Sequence, residues 1–135
     1  MFHVWDITIT ANTLEAAPKE QQLELPIGII TKIDIKFPAG CHGMVKIRLL
    51  RWTFQLVPLS SGEWITGDDE TIPTETYYEL LEVPVFLMFK GCSPDTDYNH
   101  KVTIRIEVNP ALKISDMQII ERLDKLVEAV NPNGQ

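Results

Sequence analysis

The feature that most constrains this chain is an alternation of apolar and polar residues that recurs in segment after segment up to Val108. It is clearest in NHKVTIRIEV, whose even-numbered positions from His100 to Val108 are apolar or aromatic and whose odd-numbered positions are polar. A period of two sends successive side chains to opposite faces of a β-strand. The pattern therefore predicts half-buried strands rather than helices.

The same alternation fits the segments HVWDITIT, GIITKIDIKF, MVKIRLL and WTFQLV. Their phase predicts that Trp5, Ile29, Trp52 and Phe54 point toward the core. VFLMFK is apolar on both faces, as expected of a central strand. Shorter strand candidates are QLEL, EWIT and YYELLE.

Most of the nine prolines lie at turn-like positions between these segments. Strand signals at such short intervals, with no helical period between them, are typical of an antiparallel sandwich or barrel and not of a parallel α/β sheet. The sequence thus predicts one all-β domain, an antiparallel β-sandwich of seven to nine strands, over residues 1–108.

Residues 109–135 follow a different pattern, that of a short linker and a C-terminal α-helix. Ser115 as N-cap places Gln118 at the capping-box position and sets Ile114 opposite Ile119 as a hydrophobic staple. The segment NPNG ends the helix, which then has about 15 residues and a length of roughly 22 Å. Its apolar residues form one stripe roughly 120° wide. The members of this apolar stripe are Ile119, Ile120, Leu123, Leu126, Val127 and Val130.

A helix of this length is marginal by itself in water, so the apolar stripe must be buried against something. Packing on the chain's own sandwich suits a stripe of this width, and packing on a neighbouring protomer suits a helix that leaves the sheet at Pro110. Both arrangements remain open at this point. We expect the stripe to form the interface of a homo-oligomer.

Charge and hydropathy bear on the classes of partner. The net charge is −7, and the basic residues are scattered among the acids, which argues against nucleic-acid binding. The longest apolar run, VFLMF, is far shorter than the roughly 20 residues of a membrane span. Since the N-terminal segment MFHVWDITIT also lacks the pattern of a signal peptide, the expectation is a soluble protein made in the cytoplasm.

No catalytic signature is present in the pattern of polar residues. The acidic segment TGDDETIPTETYYE lacks the spacing of a calcium loop and is predicted to be a solvated loop. The cysteines, Cys41 and Cys92, are expected to be free thiols, and His100 is expected to be a core histidine bonded to the backbone or to Tyr98. The sequence therefore predicts no catalytic residue, no metal and no cofactor.

A ligand-binding alternative rests on a second group of residues. Trp64 follows a glycine turn, as a stacking platform for a sugar would, and Asp68 and Asp69 lie close to it in sequence. These three residues are the candidate ligand contacts of a carbohydrate-binding or ligand-binding sandwich.

The order of the segments GIITKIDIKFPAGCHGMVKIRLL, FQLVPLSSGEWITGDDETI, YYELLEVPVFLMFKG and DYNHKVTIRIEV resembles that of small jelly-roll virion proteins of tailed bacteriophages and related viruses. FPAGCHG and GDDETI are the most recognisable parts of the resemblance. It implies a jelly-roll-like sandwich and a non-enzymatic decoration, cement or minor capsid protein in the virion. It also implies a homo-oligomer, with a trimer favoured, and a major capsid or other shell protein as partner.

Overall fold

The computed structural model describes residues 1–110, and within them the chain forms nine β-strands. In chain order they are β1 (Phe2–Ile9), β2 (Lys19–Glu24), β3 (Gly28–Phe37), β4 (Lys46–Arg51), β5 (Phe54–Val57), β6 (Ile65–Thr66), β7 (Glu70–Leu80), β8 (Phe86–Cys92) and β9 (His100–Pro110). No helix of this part of the chain has the length and hydropathy that crossing a membrane requires. The predicted C-terminal helix lies outside the described residues.

The strands form two antiparallel sheets with the orders β1-β9-β3-β7 and β2-β8-β4-β5, and the short β6 adds to β4. The pairs β1 with β9, β2 with β8, β3 with β7, and β4 with β5 are nested in sequence, like one long ribbon of paired strands folded over. Nested pairs divided between two facing sheets are the arrangement of a jelly roll. The predicted all-β antiparallel sandwich is confirmed.

The alternating residues of both sheets meet in one hydrophobic core. From β9 it receives Val102, Ile104, Ile106 and Val108, all buried as the alternation predicts. Strand β8 lies between β2 and β4, which confirms that VFLMFK forms a central strand. Residues of this core make up the greater part of the apolar surface that stabilises the sandwich.

Three expectations about side-chain direction were wrong. The register of β3 shifts between Ile30 and Lys32, so that Ile30 and not Ile29 is fully buried. A bulge of this kind reverses the phase of alternation on one side of it. Trp52 and Phe54 are 60% and 51% exposed, because Trp52 lies in the turn between β4 and β5 and alternation does not continue through a turn.

The prediction of a solvated loop for the acidic segment holds for residues 67–69 and was wrong for the residues after them, of which YYELLE had also been a strand candidate. Residues from Glu70 onward form β7, which pairs along its whole length with β3. Ile72 and Tyr78 pack against the core, while Glu75 and Glu79 point to solvent. Pro73 is compatible with this strand because β7 is an edge strand of its sheet, so the missing N–H breaks no ladder bond on the outer side.

Candidate interaction surface

The register of the strands gathers one set of connections at the end of the sandwich where β9 finishes. Pro110 is paired with Gly28 at the start of β3, and Gly28 is paired with Leu80 at the finish of β7. The turn between β4 and β5 and the connection from β7 to β8 therefore lie at this end too. We call it the exit end, because the chain leaves the sheet here.

The exit end carries most of the exposed large apolar side chains in the described part of the chain. They are Met1, Phe2, Ile27, Trp52, Phe54, Leu81 and Val83. Met1 belongs to this group because its carbonyl oxygen accepts a hydrogen bond from the N–H of Val108. Apolar side chains that are gathered in one region, rather than scattered singly, are typical of a surface that binds something.

A buried arginine holds the connections of the exit end in place. The guanidinium of Arg51 donates hydrogen bonds to the carbonyl oxygens of Glu82 at 2.9 Å, Pro84 at 2.7 Å and Phe86 at 3.0 Å. It also lies 5.0 Å from the ring centroid of Trp52. The last residue of β4 thus fixes the loop that precedes β8, and the exposed apolar residues there sit on an ordered frame.

Aromatic side chains from both sheets meet beside this arginine. Phe54 of β5 stacks on Tyr78 of β7 with 5.7 Å between ring centroids, and Trp52 packs edge-on against Phe86 at 5.1 Å. Next to these pairs lies a cavity of about 470 Å³, lined by Arg51–Phe54 and Tyr78–Glu82. We call it the aromatic groove. Its lining is mixed, with exposed apolar side chains between charged ones, which suits it to bind a row of apolar side chains that is flanked by a basic residue.

The opposite end, which we call the loop end, is built around Asp68. One carboxylate oxygen accepts a hydrogen bond from the N–H of Gly40 at 3.0 Å, and the other lies 3.5 Å from Nδ1 of His42. Hydrogen bonding from the backbone of His42 is the main cause that lowers the pKa of Asp68. Asp68 therefore has a structural partner in the loop between β3 and β4, and Asp69 beside it adopts a left-handed backbone with φ of 48°.

A second cavity of about 470 Å³ lies at the loop end. Its lining includes His42, Asp95, Asp97, Tyr98, Asn99 and His100. Nε2 of His100 donates to the carbonyl oxygen of Gly40 at 3.2 Å, which confirms the predicted core histidine bonded to backbone. The buried Nδ1 of the same ring finds no hydrogen-bond partner within residues 1–110.

Trp64 is not the open platform that the glycine turn suggested. The guanidinium carbon of Arg48 lies 3.6 Å from the centroid of its ring, so one face of the indole is already occupied. Trp64 is half-buried and lines neither of the two cavities described above, whereas His42, the partner of Asp68, lines the one at the loop end. Trp64 therefore does not share the loop-end cavity with the partner of Asp68.

The six residues of the apolar stripe, Ile119 to Val130, lie outside the described residues. Cys41 and Cys92 are both free and buried. Within residues 1–110, no group of three His, Cys, Asp or Glu side chains is arranged to share a metal ion.

The aromatic groove was missed by the reading of the sequence. Its residues come from two segments, RWTF and YYELLE, that are far apart in the chain, and alternation assigned Trp52 and Phe54 to the core. No local signal marked the turn, because RWTF contains none of the Gly, Pro, Asn or Asp residues that are typical of a hairpin turn.

One of the comparisons with known proteins finds a similarity of shape. No protein-family model matches the chain, and no curated protein matches it. Among solved structures, a chain in the X-ray crystallographic structure of tomato aspermy virus is similar to it, with 11% sequence identity and a TM-score of 0.42. The similarity covers 84% of this chain and 82% of that one. The jelly-roll assignment itself rests on the strand pairing of the present chain.

Proposed function

We propose that this protein is a non-enzymatic structural protein that assembles in several copies, as a decoration, cement or minor capsid component of a virion. It needs no cofactor, nucleic acid or membrane for this role. The proposed assembly is a homo-oligomer, with a trimer favoured, and a major capsid or other shell protein is the proposed second partner. The proposed domain organisation is a sandwich domain followed by a linker and a C-terminal helix, and the division, expected after residue 108, is drawn after Pro110 because β9 extends to that residue.

The observation that carries the proposal is the apolar exit end. A jelly roll by itself does not select a function, since capsid proteins, lectins and cupins share it. Exposed apolar residues gathered at one end favour an interface with another protein. The described residues finish with Pro110 at that same end, and the segment that is predicted to carry the apolar stripe follows Pro110 in the chain.

The proposed interface uses the exposed apolar residues of the sandwich together with the stripe from Ile119 to Val130. Burial of both apolar surfaces stabilises the complex by roughly 25 cal/mol for each Å² removed from water, before the costs of association are subtracted. The charged outer face of the sheet that contains β9, where Arg105 lies 3.9 Å from Asp34, is a less suitable contact because its charges would lose hydration.

Light scattering tests the assembly. We expect the full-length protein to be oligomeric and the variant Leu123→Asp with Val130→Asp to be monomeric, with the strand signal of its circular dichroism unchanged. Lys125→Asp, roughly 160° around the predicted helix from Leu123 and equal in charge change to the double variant, provides the matched control and should leave the oligomer intact. A monomeric wild-type protein, or a double variant that unfolds because the stripe packs on its own sandwich, would contradict the proposal.

The virion role has its own test. Particles purified on a density gradient from cells that express the gene should contain the protein at a fixed ratio to the shell protein, as measured by quantitative mass spectrometry. If the protein is absent from the particles but oligomeric in the soluble fraction, the virion role is wrong and the assembly role stands.

A second candidate function is ligand binding at the loop end, for which the cavity lined by His42, the partner of Asp68, is the specific observation. Tyr98 is exposed at its margin and offers a ring face, while Asp95, Asp97 and Asn99 offer the hydrogen-bonding groups that recognise a sugar. In this hypothesis Asp68 and Asp69 support the cavity. Trp64, whose ring is covered by Arg48, lies outside its lining. Binding on a glycan array that is abolished by Tyr98→Ala, and kept by Tyr77→Ala, would support it.

A further inference from the structure

We propose that the aromatic groove of one copy receives the apolar stripe of the C-terminal segment, residues 111–135, of a neighbouring copy. The inference rests on the proposed function and names the receiving surface for its interface. The occupant is a defined part of this chain, and four properties of the exit end support it: exposure, position, reach and charge.

The first property is exposure. Trp52, Phe54 and Leu81 are apolar, are 60%, 51% and 46% exposed, and lie along one cavity whose frame is fixed by Arg51. A row of apolar side chains on a helix is the ligand that such a groove accepts, with residues at successive turns filling successive positions. The stripe supplies Ile119, Leu123, Leu126 and Val130 in that order.

The second property is position. Residue 111 follows Pro110 in the chain. Pro110 of β9 is paired with Gly28 of β3, and Gly28 is also paired with Leu80 of β7, which lines the groove. Two strand spacings separate Pro110 from Leu80, a distance of about 10 Å. The segment therefore starts at the same end of the sandwich as the groove and close to it.

The third property is reach, and it favours a neighbouring copy. Residues 111–114 span at most about 13 Å, and Leu123 lies about 12 Å along the predicted helix from Ser115. A helix that crosses from β9 toward β7 would bring only its first turn over its own groove. Because β7 and β5 are edge strands, the half of the stripe that contains Leu126 and Val130 would pass beyond the molecule, where a second copy can receive it.

The fourth property is charge. Glu79 and Glu82 line the groove, and although residues 111–135 hold four acidic and three basic residues, one of the basic residues, Arg122, is close to the apolar stripe. Arg122 is roughly 100° around the helix from Leu123, at the margin of the stripe, where it would face the carboxylates at the rim of the groove. Pairs of this kind set the register of a docked helix more than its affinity.

The contact is between two different surfaces, since one copy gives the segment and the next copy gives the groove. Contacts of this heterologous type close into rings when the rotation between copies allows it. A ring of three copies, each passing its segment to the next, is the arrangement that agrees with the proposed trimer.

A complementation experiment with full-length chains tests the inference. One variant, Trp52→Glu with Leu81→Glu, disables the groove and keeps the stripe, and these positions are exposed enough to leave the core intact. The other, Leu123→Asp with Val130→Asp, disables the stripe and keeps the groove. We expect each to be monomeric alone and their mixture to form a 1:1 pair with twice the 15.4 kDa mass of one chain, because a single working contact cannot close a ring.

Matched controls separate this result from a general effect of charge. Leu14→Glu with Leu59→Glu adds the same charge at exposed apolar positions outside the groove and should leave the oligomer unchanged. Circular dichroism and the melting temperature check that each variant is folded. If the groove variant keeps the mass of the wild-type oligomer while the stripe variant is monomeric, the groove is not the receiving surface, and the assembly function stands without this inference.

Disulfide trapping decides between copies. Chains with Trp52→Cys mixed with chains with Leu123→Cys should form a linked pair on mild oxidation, whereas Tyr98→Cys, exposed at the loop end, should not link to Leu123→Cys. Linkage within a single chain that carries both Trp52→Cys and Leu123→Cys, without linkage between mixed chains, would place the stripe on its own groove. That outcome would overturn both this inference and the proposed interface.

Discussion

Phe54 and Tyr78 stack with their ring planes 8° from parallel, and the pair joins β5 of one sheet to β7 of the other. Both are edge strands within the described part of the chain, so this contact closes one side of the sandwich across the boundary between the sheets. It also forms part of the aromatic groove. The same two rings thus contribute to the stability of the fold and to the surface that we propose for assembly.

A double-mutant cycle on this pair should show coupling. Phe54→Ala and Tyr78→Ala should each lower the free energy of unfolding, and the double variant should lose less than the sum of the two. We expect a coupling of about 0.5 to 1.5 kcal/mol, the range for aromatic pairs of this geometry. Urea unfolding of the four proteins under conditions that keep them monomeric measures it, and strict additivity would contradict the proposed link between the sheets.

Replacing Arg51 should destabilise the exit end. Arg51→Met keeps most of the volume but leaves the carbonyl oxygens of Glu82, Pro84 and Phe86 without this donor, and we expect a loss of at least about 2 kcal/mol in the free energy of unfolding. Lys101→Met, at an exposed position of β9, is the matched control and should change stability by no more than about 0.5 kcal/mol. Hydrogen exchange should also become faster in the connection between β7 and β8, and an unchanged rate there would argue against the role of Arg51.

Two glycines should differ in how they respond to an added methyl group. A Cβ at Gly28 would lie 2.3 Å from the carbonyl oxygen of Asn109, so Gly28→Ala must push β3 away from β9 and should cost about 2 kcal/mol or more. Gly43 has open space around it but a φ of +72°, and Gly43→Ala should cost about 1 kcal/mol from backbone strain alone. Thermal unfolding of both variants measures the difference, and a reversed order would contradict the close approach of β3 and β9.

The buried thiols should make stability fall at high pH. Burial, with a smaller contribution from Asp68, raises the pKa of Cys41 from 9.0 to about 11, and burial likewise raises the pKa of Cys92. Because the folded state favours the protonated thiol of Cys41, this group's contribution to stability is fully present below pH 9. The contribution is lost as the pH rises through about 11. The free energy of unfolding should therefore decline less steeply between these pH values in Cys41→Ala than in the wild type. Equal slopes would contradict the assigned shift.

Much of the fold was predictable from local pattern. In β9 the residues from His100 to Val108 alternate without interruption, and each apolar position of that strand is buried because a regular strand has no way to change phase. The central position of β8 was predictable for a similar reason, since VFLMFK has too many apolar residues to leave either face in water. These conclusions depend only on side-chain periodicity and burial.

The errors in β3 and β7 arose because pairing with strands from distant parts of the chain decided which residues are buried. The shift at Thr31 in β3 is set by its pairing with both β7 and β9, and so the burial of Ile30 could not be derived from GIITKIDIKF alone. Glu70 to Thr76 was predicted to be part of an acidic loop, although the segment YYELLE that follows was a strand candidate. Glu70–Leu80 forms a strand because β3 offers a partner for its backbone and the core covers Ile72 and Tyr78.

The sequence by itself determined that residues up to Val108 would form antiparallel sheets, as in a sandwich or a barrel, because alternation and closely spaced turns are local properties that a parallel α/β fold does not satisfy. Tertiary structure alone decided where the apolar surface would be left over. Strand register brought Trp52 and Phe54 beside Tyr78 and placed Pro110 at the same end of the molecule. Those positions depend on pairing between segments that are far apart in the chain, and pairing of that kind is set by the whole fold.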